Sequence, residues 1–273
     1  MIKWAGGKRQ LLDTLNGHLP LKWDTYFEPF VGGGALLVHL QNEGRITRAV
    51  VSDLNGELIN LYRVVRTRPE KLIDALSTEK LENNEKIFRQ LKTEFNELIG
   101  HPGNCVERAA LLIYLNKHGY NGLWRVNQKG KFNVPFGHHA KLSLPSDSSV
   151  LSFSKMLKNV TIKNVDFEKA VKTAKKDDFI YFDPPYQPLS KTAHFTDYNP
   201  RGFTFSDQER LAKLFQVLSK KGVQVMLSNS KVKEIEDLYR DFTIRTISAK
   251  RFINCDGNRR TGTSEIIVTN YDV

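Results

Sequence analysis

Asp178-Phe179-Ile180-Tyr181-Phe182-Asp183-Pro184-Pro185-Tyr186 is the stretch that most narrows what this chain can fold into. A short apolar run bounded by polar residues reads as a buried strand. Two successive prolines end it at once, because neither has an N–H to donate to a sheet. Each also pushes the residue before it out of the helical region. The outcome is a rigid, extended step at a strand's carboxyl end, presenting one carboxylate, one carbonyl and one aromatic ring. In open α/β sheets that edge is where ligands bind.

Such a step has a definite chemical capacity. An amine on an aromatic heterocycle is a poor nucleophile, since its lone pair is delocalised into the ring. A carboxylate (Asp183) and a backbone carbonyl (Pro184) that each accept one N–H localise that lone pair, while Tyr186 stacks on the ring. This is catalysis by positioning and electrostatics. The competing reading is a strand-to-turn corner in which Asp183 caps the next element.

The chain has 273 residues, room for one large domain or a domain with an inserted module. No apolar stretch approaches a membrane span and the start lacks an apolar signal core, so a cytosolic, membrane-free protein is expected. Cys105, Cys255 and seven histidines give no disulfide framework and no closed metal-ligand set. The net charge is +11, and it is segregated. Between Glu107 and Asp147 there is no acidic residue, while Arg108, Lys117, Arg125, Lys129, Lys131 and Lys141 all fall there. Lys250, Arg251, Arg259 and Arg260 form a second cluster. Segregated positive charge is the footprint of nucleic-acid binding; a solvated basic face is the alternative.

Tyr26-Phe27-Glu28-Pro29-Phe30-Val31-Gly32-Gly33-Gly34 predicts a strand entering a glycine turn, and Ala35–Leu40 a helix leaving it. Ala49–Asp53 reads as the next strand, ending in an acid where such folds grip ribose hydroxyls. The extra glycine required by a pyrophosphate is missing, so an adenosine ligand without pyrophosphate fits better than a dinucleotide. A tight turn for the glycines and an N-cap role for Asp53 are the alternatives. Residues 56–116 read as helices that interrupt the sheet. The domain pattern is therefore 1–55 with 145–273, and an inserted 56–144. Two β-rich arms flank Gln128-Lys129-Gly130 and predict a hairpin, a shape that fits the DNA major groove. The sheet resumes at Val160–Val165, followed by a crossover helix over 168–176. A loop over the site is expected at 187–205, a helix over 207–220, and strands at 223–227 and 265–271.

With these residues in hand, the chain resembles the Dam family of DNA adenine-N6 methyltransferases from Lys3 to Tyr271. Lys3-Trp4-Ala5-Gly6-Gly7-Lys8, Glu28–Gly34, Tyr120-Asn121-Gly122-Leu123, Phe132-Asn133-Val134-Pro135-Phe136-Gly137 and Asp183-Pro184-Pro185-Tyr186 carry the likeness, in family order. The resemblance implies a Rossmann-like S-adenosylmethionine-dependent methyltransferase sheet with an inserted, mostly helical DNA-recognition module. It implies double-stranded DNA as partner, GATC as site, no metal, and a monomer in solution. Trp4, Ala5, Gly6, Gly7, Lys8, Asp53 and Asp183 would border the cofactor, with Phe30, Gly32 and Gly34 beneath it and Asp166 and Phe167 flanking its adenine. Lys3 and Arg125 would read guanines, Leu123 would pack on a base, and Tyr120 would support the gap left by the extruded adenine. Asn127 and Asn133 would contact phosphates, and Asn121, Pro135, His138 and His139 complete the DNA-binding set. The target amine lies inside the duplex, so the base must be flipped into the pocket. The chain departs from enteric members at His138-His139, where they carry Arg-Tyr, and at Trp124, where they have a smaller residue. The rival readings are a cytosine-N4 or glutamine-N5 methyltransferase on the same fold, the same chemistry at another DNA site, and a sequence-specific DNA binder without catalysis.

Overall fold

The structure, a computed structural model, describes every residue except 5, 141–142, 187–201, 250–262 and 273; of 9, 102, 248, 249 and 263 only the backbone is described. The expected loop at 187–205, the Lys250–Arg260 basic cluster, Cys255 and Ala5 therefore fall largely or wholly outside the described residues. In chain order the elements are α1 (Leu12–Asn16), β1 (Tyr26–Glu28), α2 (Ala35–Asn42), β2 (Ala49–Ser52), α3 (Gly56–Thr67), α4 (Pro69–Leu76), α5 (Glu85–Leu98), α6 (Cys105–His118), α7 (Asp147–Met156), β3 (Val160–Lys163), α8 (Phe167–Ala170), β4 (Phe179–Phe182), α9 (Phe205–Lys220), β5 (Gln224–Ser230), α10 (Lys233–Leu238), β6 (Thr243–Ala249) and β7 (Thr263–Thr269). Seven strands align in the order β3-β2-β1-β4-β5-β7-β6.

Contacts divide the described residues into two units. One takes Met1–Gly7 and Asp53–Asn164; the other takes Lys8–Ser52 and the described residues from Val165 onward.

The second unit carries six of the strands. β1 runs parallel to β2 and β4, and β4 parallel to β5. β7 then enters antiparallel between β5 and β6. All four residues of β4 are buried, as a central strand covered on both faces requires. Phe27, Ile180, Phe182, Leu211, Phe215, Val225 and Ile266 share one core. The strand order reverses between β1 and β4, so their carboxyl ends, Glu28 and Asp183, open on the switch point where α/β sheets bind ligands. The expected helix over 168–176 is a single turn, Phe167–Ala170. Asp178 explains its early end: its carboxylate accepts the Lys175 and Thr25 N–H groups at 2.9 and 3.0 Å and draws the chain into β4. Ser228-Asn229-Ser230 continue β5 rather than follow it.

The first unit is helical. α6 is buried almost all round, from Arg108 to Asn116, and α3, α4 and α5 pack against it. Asn55 and Asn84 cap α3 and α5, each side chain accepting two first-turn N–H groups. Arg108 reaches Glu57 at 2.8 Å, both nearly buried. The segment after α6 forms a narrow hairpin held by isolated antiparallel bridges, Gly119 with Phe136 and Val126 with Phe132. Its tip closes where Asn127 N–H donates to the Lys131 carbonyl, with Gly130 at φ +72°. Trp124, Phe132 and Val134 turn inward, Trp124 and Phe132 packing on Phe95, while Arg125 and Lys131 face out. Trp124 is thus a core residue of this unit.

Candidate active site

The described part of the site in the second unit is built around Asp183. Its Oδ1 lies 2.8 Å from Lys8 Nζ, an ammonium only 6% exposed at the start of a 3-10 turn. Ser228 Oγ, near the end of β5, donates to the same oxygen at 2.9 Å, and Tyr181 O–H donates to Ser228. Burial pushes the Asp183 carboxyl up, against Lys8 and Ser228, which pull it back. For Lys8, burial opposes the charge, but Asp183, Tyr181 and Glu265 outweigh it and hold the ammonium above its ordinary value. Lys8 and Asp183 are thus within salt-bridge distance, each favouring the charged form of the other.

Tyr186 extends this cluster. Its O–H donates to Glu265 Oε2 on β7 at 2.7 Å, and Lys8 Nζ sits 4.5 Å from its ring centroid. The backbone between is fixed as well: Gln208 of α9 donates to the Pro185 carbonyl at 3.1 Å and accepts from Asn229 at 3.0 Å. Pro184 is buried. The Asp-Pro-Pro-Tyr step is thus held by β5, β7 and α9, and Asp183 makes an ion pair rather than a simple helix cap. Below it on β1, Glu28 accepts Tyr26 O–H at 2.9 Å and is 3% exposed. Burial drives its carboxyl up to about 8, with the Asp183 charge adding to the rise and the Tyr26 and Leu37 donors opposing it.

The glycine turn follows β1. Gly32 and Gly34 take φ of +47° and +65°, where a side chain would be strained. Val31 N–H donates to the Ser52 carbonyl and Ser52 Oγ to the Pro29 carbonyl, tying the turn to β2. Phe30 stacks on Phe167 at 5.5 Å, and Phe203 meets it edge-on at 5.7 Å. Asp166 caps α8 through Glu168 N–H and pairs with Arg210 at 3.2 Å, and that guanidinium lies over the Phe167 ring. The partly exposed Phe30 and Phe203 rings beside a side-chain-free turn, with buried Phe167 behind Phe30, fit an aromatic, adenosine-bearing ligand that approaches the backbone closely. Among the described residues no group of three or more His, Cys, Asp or Glu is placed to hold a metal ion.

In the first unit, Trp4 stacks on Trp124 at 6.1 Å, and Gly7 N–H closes a turn onto the Trp4 carbonyl, with Gly6 at φ +76°. Asp53 Oδ1 accepts Asn55 N–H and its carbonyl accepts Asn164; the cap of α3 is Asn55 itself. Lys3 is anchored by Asn116, which accepts its N–H and donates to its carbonyl, both at 2.8 Å, and also donates to Gly122. Asn121 and Gly122 both take positive φ, so Lys3 packs directly on the Gly122 Cα. Tyr120 is 48% exposed and its N–H donates to the Pro135 carbonyl. Leu123 is partly exposed beside it. Arg125 Nε donates to Asn133 Oδ1 at 2.8 Å, so these two candidates act as a pair. Asn127 spends its side-chain oxygen on Lys129 and Lys131 N–H groups at the hairpin tip. His138, at φ +50°, lies edge-on to Phe136, and His139 Nε2 is 3.4 Å from the Gly119 carbonyl.

Sequence reasoning missed Glu28, Tyr181, Gln208, Ser228, Asn229 and Glu265. Polar residues ending apolar strands, as in Met226-Leu227-Ser228-Asn229-Ser230, were the available signal.

A sheet with this switch point and a carboxylate–ammonium pair at an Asp-Pro-Pro-Tyr step is the ligand-binding edge of an α/β fold. The family model for the D12 class of N6 adenine-specific DNA methyltransferases matches residues 4–253. The chain is 44% identical to the type II methyltransferase M1.LlaDCHI of Lactococcus lactis subsp. cremoris, over 98% of this chain and 94% of that one. It is 40% identical to the type II methyltransferase M.MjaIII of Methanocaldococcus jannaschii, over 99% and 98%. To the DNA adenine methylase of Escherichia coli K12 it is 32% identical, over 97% and 93%. The chain belongs to the D12 class of N6 adenine-specific DNA methyltransferases. Among the described residues no helix is long and apolar enough to cross a membrane.

Proposed function

We propose that this enzyme methylates adenine N6 within GATC in double-stranded DNA, acting as a monomer that flips the target base out of the helix. The observation that carries the chemistry is the buried Lys8–Asp183–Ser228 cluster at the carboxyl end of β4, beside the anchored Tyr186 ring. Phe30, the Gly32–Gly34 turn, Asp166 and Phe167, with Trp4, Gly6, Gly7 and Asp53 also assigned to the cofactor, would hold S-adenosylmethionine, which would supply the methyl group. Asp183 and the Pro184 carbonyl accept the two N6 protons of the flipped adenine, so the lone pair localises on nitrogen, and Tyr186 stacks on the base. Lys8 and Ser228 favour the ionised form of Asp183, against the burial that favours protonation.

Residues 56–144 serve as the target-recognition module. The GATC assignment rests on Lys3, Tyr120, Leu123 and Arg125, which follow the Dam pattern, and on the exposed positive charge of the hairpin. Transfer of labelled methyl groups to duplexes containing GATC or one-base variants, followed by digestion to nucleosides, tests both parts. N6-methyladenine confined to GATC is expected. N6-methyladenine at another sequence would keep the chemistry and overturn the hairpin roles, and no transfer would overturn the proposal.

A further inference from the structure

We propose that Glu265 is a positioning residue for methyl transfer, holding the Tyr186 ring at the angle needed to stack on the target base, and that its negative charge is part of that task. The inference rests on the reading of Tyr186 as the stacking ring.

Glu265 lies on β7, opposite Ser230 of β5 and Ile247 of β6. Its successors Ile266, Ile267 and Val268 are fully buried apolar residues, and it is itself only 5% exposed. Burying a carboxylate in such a strand is unfavourable unless the charge is matched. A structural position would be filled by another aliphatic residue. What the carboxylate does is specific: Oε2 accepts the Tyr186 O–H at 2.7 Å.

Two anchors then define the ring. Its root is set by Pro185, whose carbonyl is held by Gln208. Its tip, the only hydrogen-bonding atom of the side chain, donates to Glu265 and also meets Ser228. With root and tip fixed, the ring can neither swing aside nor slide along a base. The Lys8 ammonium lies over one face of the ring, 4.5 Å from the centroid. Glu265 also stabilises the Lys8 cation, so Lys8 stands between two carboxylates, Asp183 and Glu265. A glutamine could accept the same O–H; the carboxylate makes a stronger, charge-assisted bond and balances Lys8.

Glu265→Gln, Tyr186→Phe and the double variant separate this role from a merely structural one. Full-length protein is assayed by single-turnover methyl transfer at saturating S-adenosylmethionine, and by fluorescence of a duplex with 2-aminopurine at the target position. Each single change is expected to lower the transfer rate about tenfold, the net worth of one charge-assisted hydrogen bond, with the KM for DNA unchanged. The double variant should be no slower than Tyr186→Phe alone, because the one change weakens and the other removes the same bond. The 2-aminopurine signal should rise above that of the unaltered enzyme, because a loosened ring quenches the flipped base less. Losses that multiply in the double variant, or a Glu265→Gln enzyme with unchanged rate and fluorescence, would overturn the inference. If Glu265→Gln fails to fold, Tyr186→Phe still removes the bond, and an unchanged rate and signal there has the same consequence. Tyr186→Ala with unchanged transfer and fluorescence would instead remove the stacking role itself, and the inference with it.

Discussion

Glu28 makes the stability of this protein depend on pH in an unusual direction. Its carboxylate sits on β1, takes the Tyr26 O–H, and accepts the Leu37 N–H, a first-turn donor that Gly34 at the N-cap of α2 has no side chain to satisfy. Burial nevertheless dominates and raises its pKa from 4.5 to about 8. The folded state therefore binds this proton more tightly than the unfolded chain. Stability from the neutral carboxyl is fully present below the unfolded value and is lost as pH rises through the folded one. Each decade of proton affinity is worth about 1.4 kcal/mol, so the full interval corresponds to about 5 kcal/mol as a ceiling. Glu28→Gln keeps the acceptor oxygen and the shape and removes the titration. Urea unfolding of both proteins between pH 5 and pH 8 isolates the effect, since every other group cancels in the difference. The Gln variant should gain on the parent as pH rises, by about 1 kcal/mol per pH unit and several in all. Unfolding free energies that stay parallel across the range would refute the reasoning. They would mean that Glu28 is ionised in the fold and that the Tyr26 and Leu37 donors, not burial, set its state.

Three further outcomes are expected. Asp183→Ala should abolish methyl transfer while leaving sequence-specific binding in gel-shift assays; loss of binding alone would show that Asp183 holds the fold or the DNA instead. Arg125→Ala should cost about 1–3 kcal/mol of specific binding and relax discrimination at one base pair, if it reads a guanine. Equal weakening on every sequence would mark a phosphate contact. Gly122→Ala forces a side chain into φ +63° and brings its Cβ within 2.8 Å of Lys3 Cβ. It should lower stability by about 1–3 kcal/mol in thermal unfolding and weaken DNA binding, since Lys3 must move. Unchanged melting and affinity would show that Lys3 is not seated there.

The residues legible in the sequence were those whose role is local. A proline-broken apolar run declares β4 and its terminal step. Triple glycine after an apolar run declares a turn that positive φ then realises at Gly32 and Gly34. Alternation should have declared the hairpin more fully: Trp124, Phe132 and Val134 fall on the inner face, and the Trp124 indole packs into the helical unit. α7 escaped notice because Asp-Ser-Ser-Val-Leu-Ser-Phe-Ser is poor in helix formers, and the Ser146 cap and burial of Val150 and Phe153 hold it instead. The asparagines at 127 and 133, which the resemblance makes phosphate contacts, also have intramolecular roles that no local pattern shows: one builds the hairpin tip and the other grips Arg125.

What stayed hidden was everything that acts on Asp-Pro-Pro-Tyr from a distance. Gln208, Ser228 and Glu265 lie 23, 45 and 79 residues beyond their partners in the step, on α9, β5 and β7. No periodicity links them, because each is a single polar residue inside an otherwise apolar element. Their logic follows from the prolines. A step with two missing N–H groups cannot be secured by a backbone ladder, so side chains from neighbouring elements must fix its carboxylate, its carbonyl and its ring separately. The motif that makes the site recognisable in the sequence therefore depends for its geometry on residues that no local pattern could reveal.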